Sequence, residues 1–567
     1  MTIRSCRSCL AVFALTSLTA CAKNNTSAPA TNPASETPTV VAPSPSLGRL
    51  VTVDAAALTR VGAIDARFQS YNVEMLEVTG GKFWKPYKDI AVLPAAKAEK
   101  PAAKDGNAAS ADVPAGMSAD LYQYREPIDL TNPRLRKLAA ALGPAYMRVS
   151  GTWANTTYFA DTDKPPAAPP KGYGGVLTRK QWQGVVDFSR VADAPIVTSL
   201  PIGVGTRDAK SNWTPEQTRR WFAFTRSIGG TIAAVEFMNE PTLVSMGGAP
   251  PNYDAAAYGR DFKVFREFMR KEAPATKILG PGSVGESTAD WGVASGGYAL
   301  GMKMLTAGEL MTAAGPDIDA FSYHHYGATS QRCAAMGHQT SAADALSEAW
   351  LKRTDETLAY YRKVRDTHTP GKHFWNTETA DAACGGNPWG GQFLDTFRYL
   401  DQHARLAKQE VDVVMHNTLV ASDYGMLDDR DFAPKPNYWG ALLWRRLMGN
   451  VVLDTGVPLQ QGQHVYAHCL RDTPGGVALL VLNTDTREPT TLNLGAAAKA
   501  GKRYTLTSSE LQSRTVLLNG QPLALTAKDE LPELNGEALT SDRAVFTPTS
   551  ISFVALPSAN NSACAKP

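Results

Sequence analysis

Two glutamates that lie far apart in the chain, Glu240 and Glu378, stand in settings suited to paired-carboxylate chemistry. Glu240 follows the apolar run Ile232 to Met238 and Asn239, and Pro241 comes next. Proline has no N–H for a ladder, so it stops a strand and leaves Asn239 and Glu240 at the strand's C-terminal mouth. Glu378 closes the run His373-Phe374-Trp375-Asn376-Thr377, ahead of a glycine-rich loop from Cys384 to Gly391. In α/β barrels the C-terminal strand ends carry the chemistry. Breaking a glycosidic bond takes two carboxyls that flank it, one protonated and one ionised. Either glutamate alone reads as a solvated acid at a strand end. About three strand–helix units separate them, which fits strands four and seven of one barrel.

The elements that would position them follow from apolar runs alternating with helical segments. Strands are expected at residues 68–75, 145–149, 195–200, 232–238, 277–281, 318–326, 373–379 and 411–417. This is an α/β chain with a (β/α)8 TIM barrel over residues 68–446. Glu74 ends the first strand and points to the same mouth. Thr214-Pro215-Glu216-Gln217 reads as an N-cap with Pro at the first helical position, opening a helix that stops at Gly229-Gly230. Tyr258, Phe262, Phe265 and Met269 recur at helical spacing and read as core. Residues 92–118, rich in Ala, Pro and Lys, form an insertion too long for an ordinary connection, either a substrate-facing loop or floppy excess. From 447 to 567 short β-rich runs alternate with turn residues, as in a β-sandwich. Residues 47–67 hold one strand, Arg49 to Val53, which needs a sheet and is expected to complete that sandwich.

The N-terminus reads as export machinery. Arg4 and Arg7 precede an apolar stretch, and Leu18-Thr19-Ala20-Cys21 matches a bacterial lipobox in which Cys21 is lipidated. A plain secretory signal is the alternative. Residues 1–20 are then the leader and 21–46, rich in Ala, Pro, Ser, Thr and Asn, a disordered tether. This places the protein in the bacterial cell envelope, lipid-anchored on the periplasmic or outer surface, or secreted. The formal charge is +3, and loss of Arg4 and Arg7 leaves about +1, so no basic field argues for nucleic acid. Cys333, Cys384, Cys469 and Cys564 remain, an even number that favours bridges outside the cytosol. Four cysteines allow three pairings; Cys469–Cys564 would tie down the C-terminal tail, and Cys333–Cys384 would join neighbouring mouth loops. A zinc site from His324, His325, Cys333 and His338 is the competing use, but adjacent histidines on a strand face opposite ways. No metal or cofactor is expected.

The motifs in order resemble glycoside hydrolase family 79, the heparanase and β-glucuronidase family. The resemblance is carried by Asn239-Glu240-Pro241, Tyr323-His324-His325-Tyr326, Glu378-Thr379, Asp395-Thr396-Phe397, Asp423-Tyr424, Pro436-Asn437-Tyr438-Trp439, Val465 to Cys469 and Val516 to Gly520. It runs from about residue 68 to the C-terminus. It implies a retaining double displacement on β-linked glucuronic acid, with Glu240 as acid/base and Glu378 as nucleophile. It also implies that Gly385, Gly386 and Tyr424 bind the sugar carboxylate, and that Glu74 and Asn239 lie near sugar hydroxyls. Tyr326 is a further candidate donor to sugar and nucleophile. Departures are an extra residue between Glu378 and the glycine pair, Cys384 before that pair, and Thr242-Leu243 after the proline. No dense Lys/Arg stretch suited to heparin is seen. The alternatives are a retaining glycosidase for a neutral sugar, such as a xylosidase or arabinofuranosidase, and a non-catalytic carbohydrate-binding lipoprotein.

Overall fold

The computed structural model describes residues 48–90, 118–292, 298–299 and 302–565. The leader, the tether with Cys21 and insertion residues 92–117 lie outside the described residues.

Two strands open the chain, β1 (Arg49–Thr52) and β2 (Thr59–Ala63). Eight parallel strands then close a barrel. They are β3 (Gln69–Glu74), β4 (Met147–Ser150), β5 (Ile196–Ser199), β6 (Ile232–Glu236), β7 (Lys277–Ser283), β8 (Ala320–Tyr326), β9 (His373–Ala380) and β10 (Val413–His416). These are the eight expected stretches, with ends shifted by up to a few residues. Period-two alternation sorts their side chains. Met147, Val149, Ile278, Phe321 and Phe374 face the surrounding helices. Val197, Ala234, Leu279, Ala320, Trp375, Val413 and Met415 fill one layer of the barrel interior. Continuing the same alternation toward the C-terminal ends brings Glu74, Arg148, Ser150, Glu236 and His324 inward. The polar cluster is thus set by register.

The helix after β6, Ala255–Glu272, buries Tyr258, Phe262, Phe265 and Met269 as expected. The helix before it, Glu216–Ser227, begins one residue later than the sequence suggests. Pro215 occupies the N-cap position with no side-chain cap. Thr214 does not cap because its hydroxyl donates to the Thr206 carbonyl at 2.9 Å.

Strands β11 (Met448–Asp454), β12 (His464–Leu470), β13 (Val477–Asn483), β14 (Thr490–Asn493), β15 (Lys502–Thr507), β16 (Arg543–Phe546) and β17 (Ser550–Leu556) belong to two further sheets. The larger runs from β2 through β11, β12, β13, β17 and β15, and the smaller is β1–β14–β16. Val477, Leu479 and Val481 of β13 pack between the sheets, with Leu492, Phe546 and Val554. The alternate residues Ala478, Leu480 and Leu482 join the barrel's helical core. A strand covered on both faces has no use for polar alternation, hence the unbroken Val-Ala-Leu-Leu-Val-Leu. The N-terminal segment carries two strands, not one. β1 pairs in parallel with β14, and β2 pairs antiparallel with β11. Largely exposed and without apolar alternation, β2 carries no strand signal in its residues.

Candidate active site

The strand ends converge on one cavity. Its walls include Glu74, Trp84, Tyr122, Asn239, Glu240, Tyr326, Glu378, Asn417 and Tyr424. Trp84 and Tyr122 come from a hairpin, Gly81–Trp84 paired with Tyr122–Arg125, that flanks the insertion, and their rings stack at 4.5 Å.

Glu378 is set by a register shift between β8 and β9, after which His324 stands opposite Glu378. Irregular pairing of this kind re-aims side chains. Each of its carboxylate oxygens accepts one hydrogen bond. Arg148 Nη1 donates to Oε2 at 2.7 Å and the Tyr326 hydroxyl donates to Oε1 at 2.6 Å. Burial alone would raise the Glu378 pKa. The proton-bearing edge of His324, the Arg148 guanidinium and these hydrogen bonds overturn that and hold it below the usual carboxylate range.

Glu240 sits just past β6 with φ of +47°, in the left-handed region. Such a conformation in a non-glycine residue is uncommon and clusters at functional sites. His324 Nδ1 lies 3.1 Å from Glu240 Oε1, and Arg148 Nη2 lies 3.2 Å from His324 Nε2. A guanidinium has no acceptor, so Nε2 accepts, and the ring proton sits at Nδ1, facing Glu240. Burial raises the Glu240 pKa, and proximity to the Glu378 carboxylate raises it further against the His324 hydrogen bond.

One oxygen of Glu240, one of Glu378 and a ring nitrogen of His324 lie within 4.8 Å of one another. Retaining glycosidases hold their carboxyls about 5–5.5 Å apart, inverting ones about 6.5–9.5 Å. The three donors could in principle hold an ion. Here Arg148 already bonds both Glu378 and His324, and a guanidinium at that distance repels a cation. The arrangement suits proton transfer. The competing zinc use of Cys333 fails on covalent grounds, because Cys333 is bridged to Cys384.

Beneath the pair lies a charge network that the sequence reading missed. Arg148 is 1% exposed and donates to Glu236 Oε2 at 2.8 and 3.0 Å and to Asn239 Oδ1 at 2.8 Å. Thr377 donates to Glu236 Oε1 at 2.7 Å. Burial would raise Glu236, but Arg148 and His324 hold it low. Asn155 pins the Asn239 backbone on both sides, at 2.8 and 3.0 Å. Asn417, at the end of β10, donates to Glu74 at 3.2 Å and stands 3.0 Å from the hydroxyls of both Tyr326 and Tyr424. Burial, then the Glu378 charge, pushes Glu74 well up. A charged residue inside an otherwise apolar strand, as in Met147-Arg148-Val149, was the available signal, because such a residue is buried only when paired.

Glu74, Asn239, Tyr326 and Tyr424 are therefore brought together with the glutamate pair. Gly385 and Gly386 are not among the residues lining the cavity. A Cβ on Gly385 would lie 2.8 Å from Trp84, and one on Gly386 2.8 Å from Tyr424. The glycines stand behind two rings that do line it, and Arg332 holds their carbonyls at 3.1 Å each. Gly151 has a comparable role. A Cβ there would meet Glu74 Oε2 at 1.7 Å. Both expected bridges, Cys333–Cys384 and Cys469–Cys564, are present.

The barrel and its carboxylate pair define a glycoside hydrolase. The fold likeness is to barrel glycosidases such as the GH51 arabinofuranosidase from Xanthomonas axonopodis pv. citri, with a TM-score of 0.57 over 88% of this chain and 98% of that one, at 16% identity. No family model matches the chain. Its sequence relatives are narrower. Heparanase-like protein 1 of Arabidopsis thaliana is 27% identical over 489 residues, which span 77% of this chain and 86% of the relative. The hyaluronoglucuronidase of Hirudo nipponia is 26% identical over 484 residues, spanning 77% and 92%. The chain is similar along most of its length to heparanase-like and glucuronidase enzymes, the likeness its motifs led one to expect.

Proposed function

We propose that the protein hydrolyses β-linked glucuronides by double displacement. Glu378 attacks the anomeric carbon while Glu240 gives its proton to the departing oxygen. The glycosyl–Glu378 ester is then opened by water, whose proton returns to Glu240, and the sugar leaves with its β configuration retained. The observation that carries this is a pair of carboxyls with oxygens within 4.8 Å of each other, whose pKa values are driven apart, Glu240 up and Glu378 down. The glucuronide assignment is supported by relatives whose names include a hyaluronoglucuronidase. The resemblance assigns the sugar carboxylate to Tyr424, whose hydroxyl is in the cavity wall, and to Gly385 and Gly386, which let Tyr424 and Trp84 close in.

The test is a panel of aryl β-glucuronides, β-xylosides and α-arabinofuranosides, with NMR of the first-formed anomer. The β-glucuronide should turn over fastest and release the β-anomer. Preference for a neutral glycoside, or first release of the α-anomer, contradicts the proposal. The lipobox Leu18-Thr19-Ala20-Cys21 supports a further part of the proposal, a lipid on Cys21 that holds the enzyme at the cell envelope. Detergent-phase partitioning that Cys21→Ser abolishes supports this, and aqueous partitioning of the unaltered protein rejects it.

A further inference from the structure

The cavity lining is of two unlike kinds. Glu74, Tyr326, Asn417 and Tyr424 are hydrogen-bonding groups suited to sugar hydroxyls. Leu243, Met246, Val284, Met304 and Met336 are apolar and form a second wall. This second wall is built onto the proton donor. Leu243 N–H donates to the Glu240 carbonyl at 2.9 Å, and Met246 N–H donates to that of Leu243, also at 2.9 Å. Thr242, two residues past Glu240, ties in the neighbouring segments. Its hydroxyl accepts from Val284 N–H at 3.3 Å, and its carbonyl accepts from Leu305 N–H, next to Met304, at 3.3 Å. Among the described residues that line the cavity there is no Lys, Arg or His. Arg148 and His324 reach the site from within the barrel and are already bonded to carboxylates.

We infer that the leaving group is an apolar alcohol or phenol seated on the Leu243–Met246–Met304–Met336 wall, and not a sulfated saccharide. Glu240 protonates the departing oxygen, so whatever follows that oxygen lies on Glu240's side, which is this wall. Thioether side chains adapt to irregular apolar shapes, so the wall admits a range of apolar groups. Among the described residues of this wall a sulfate would find no cation, and a desolvated anion without a partner is costly. The inference builds on the two-glutamate hydrolysis proposed above, but it concerns the leaving-group side and not the glycone.

The test compares octyl with methyl β-D-glucuronide below the micelle-forming concentration of the former. Their leaving alcohols are of similar acidity, so a difference reports seating and not intrinsic reactivity. Each buried methylene contributes about fourfold, so three methylenes on the wall raise kcat/KM roughly 60-fold. Met246→Ser combined with Met336→Ser should cut that ratio to about 10-fold or less. A ratio near one, or faster turnover of a sulfated glucuronyl disaccharide than of octyl glucuronide, overturns the inference. If both glucuronides are inert, the octyl-to-methyl comparison on whichever glycoside the enzyme cleaves decides separately. A high ratio there upholds the wall and rejects only the glucuronide reading, whereas a ratio near one rejects both.

Discussion

Burial acts on both catalytic carboxyls in the same direction, so it cannot be what separates them. Partners do that. Glu378 receives Arg148 and Tyr326, while Glu240 has one imidazole donor and a negative neighbour. The acid limb of the kcat/KM profile should therefore report Glu378, which must be ionised to attack. Tyr326→Phe removes a donor that lowers Glu378, so its pKa rises and the acid limb moves to higher pH, with the basic limb from Glu240 little changed. An unmoved acid limb would mean that Tyr326 does not set the nucleophile. Arg148→Met should be harsher. It leaves Glu236 and Glu378 buried without their common partner, a loss on the order of 3–5 kcal/mol, measurable by urea unfolding. The glutamates were legible because a strand-end acid before a Pro or Gly turn has a recognisable local pattern. Arg148, Glu236 and Asn417 were not, because their roles exist only when register brings distant strands together.

At the scale of elements, the loop after β9 is held twice. The Cys333–Cys384 bridge ties it to the loop after β8. Arg332, next to that cysteine, donates to the carbonyls of Cys384, Gly385, Gly386 and Lys85 and pairs with Asp423. Removing a bridge costs roughly 2–4 kcal/mol. Removing one member of a buried ion pair costs about 3–5 kcal/mol and leaves carbonyls unmet. Replacing both cysteines by Ser should thus lower the melting temperature but leave activity measurable, whereas Arg332→Ala should lose most activity by displacing Trp84 and Tyr424. Equal activity in the two variants would show that the bridge, not Arg332, shapes the loop. The Cys333–Cys384 pairing was foreseeable from which loops neighbour one another on a barrel. The hold by Arg332 was not, since an arginine in a loop gives no sign of which carbonyls it will meet.

On the scale of the whole molecule, barrel and sandwich share one polar seam. His464 of β12 lies 2.5 Å from Asp401 through Nδ1 and 2.9 Å from Glu348 through Nε2, and Arg405 pairs with the same two acids at 2.7 and 2.8 Å. Burial would lower the His464 pKa, but Asp401 and then Glu348 outweigh it and raise it to about 9 from 6.5. A raised histidine contributes stability that is fully present below its ordinary pKa and lost as pH climbs through the folded value. Thermal stability should therefore decline between pH 6.5 and about 9, and His464→Gln should flatten that decline. Identical slopes in both proteins would remove His464 from the account. The barrel was readable at this scale because eight apolar runs at regular spacing carry a strong periodic signal. The small strand β2 and the seam were not, since β2 depends on the N-terminal segment meeting a distant sheet and the seam on a sandwich strand meeting acids of the barrel.

The central claim is that Glu378 becomes covalently attached to the sugar. A 2-deoxy-2-fluoro-β-glucuronyl fluoride should form the ester quickly and release it slowly, because the fluorine destabilises both transition states while the fluoride leaves readily. Digestion and mass spectrometry of the inactivated enzyme should then find the added mass on the peptide that carries Glu378, with Glu240 unmodified. A label on Glu240, or slow turnover that leaves no label on either glutamate, would contradict the mechanism.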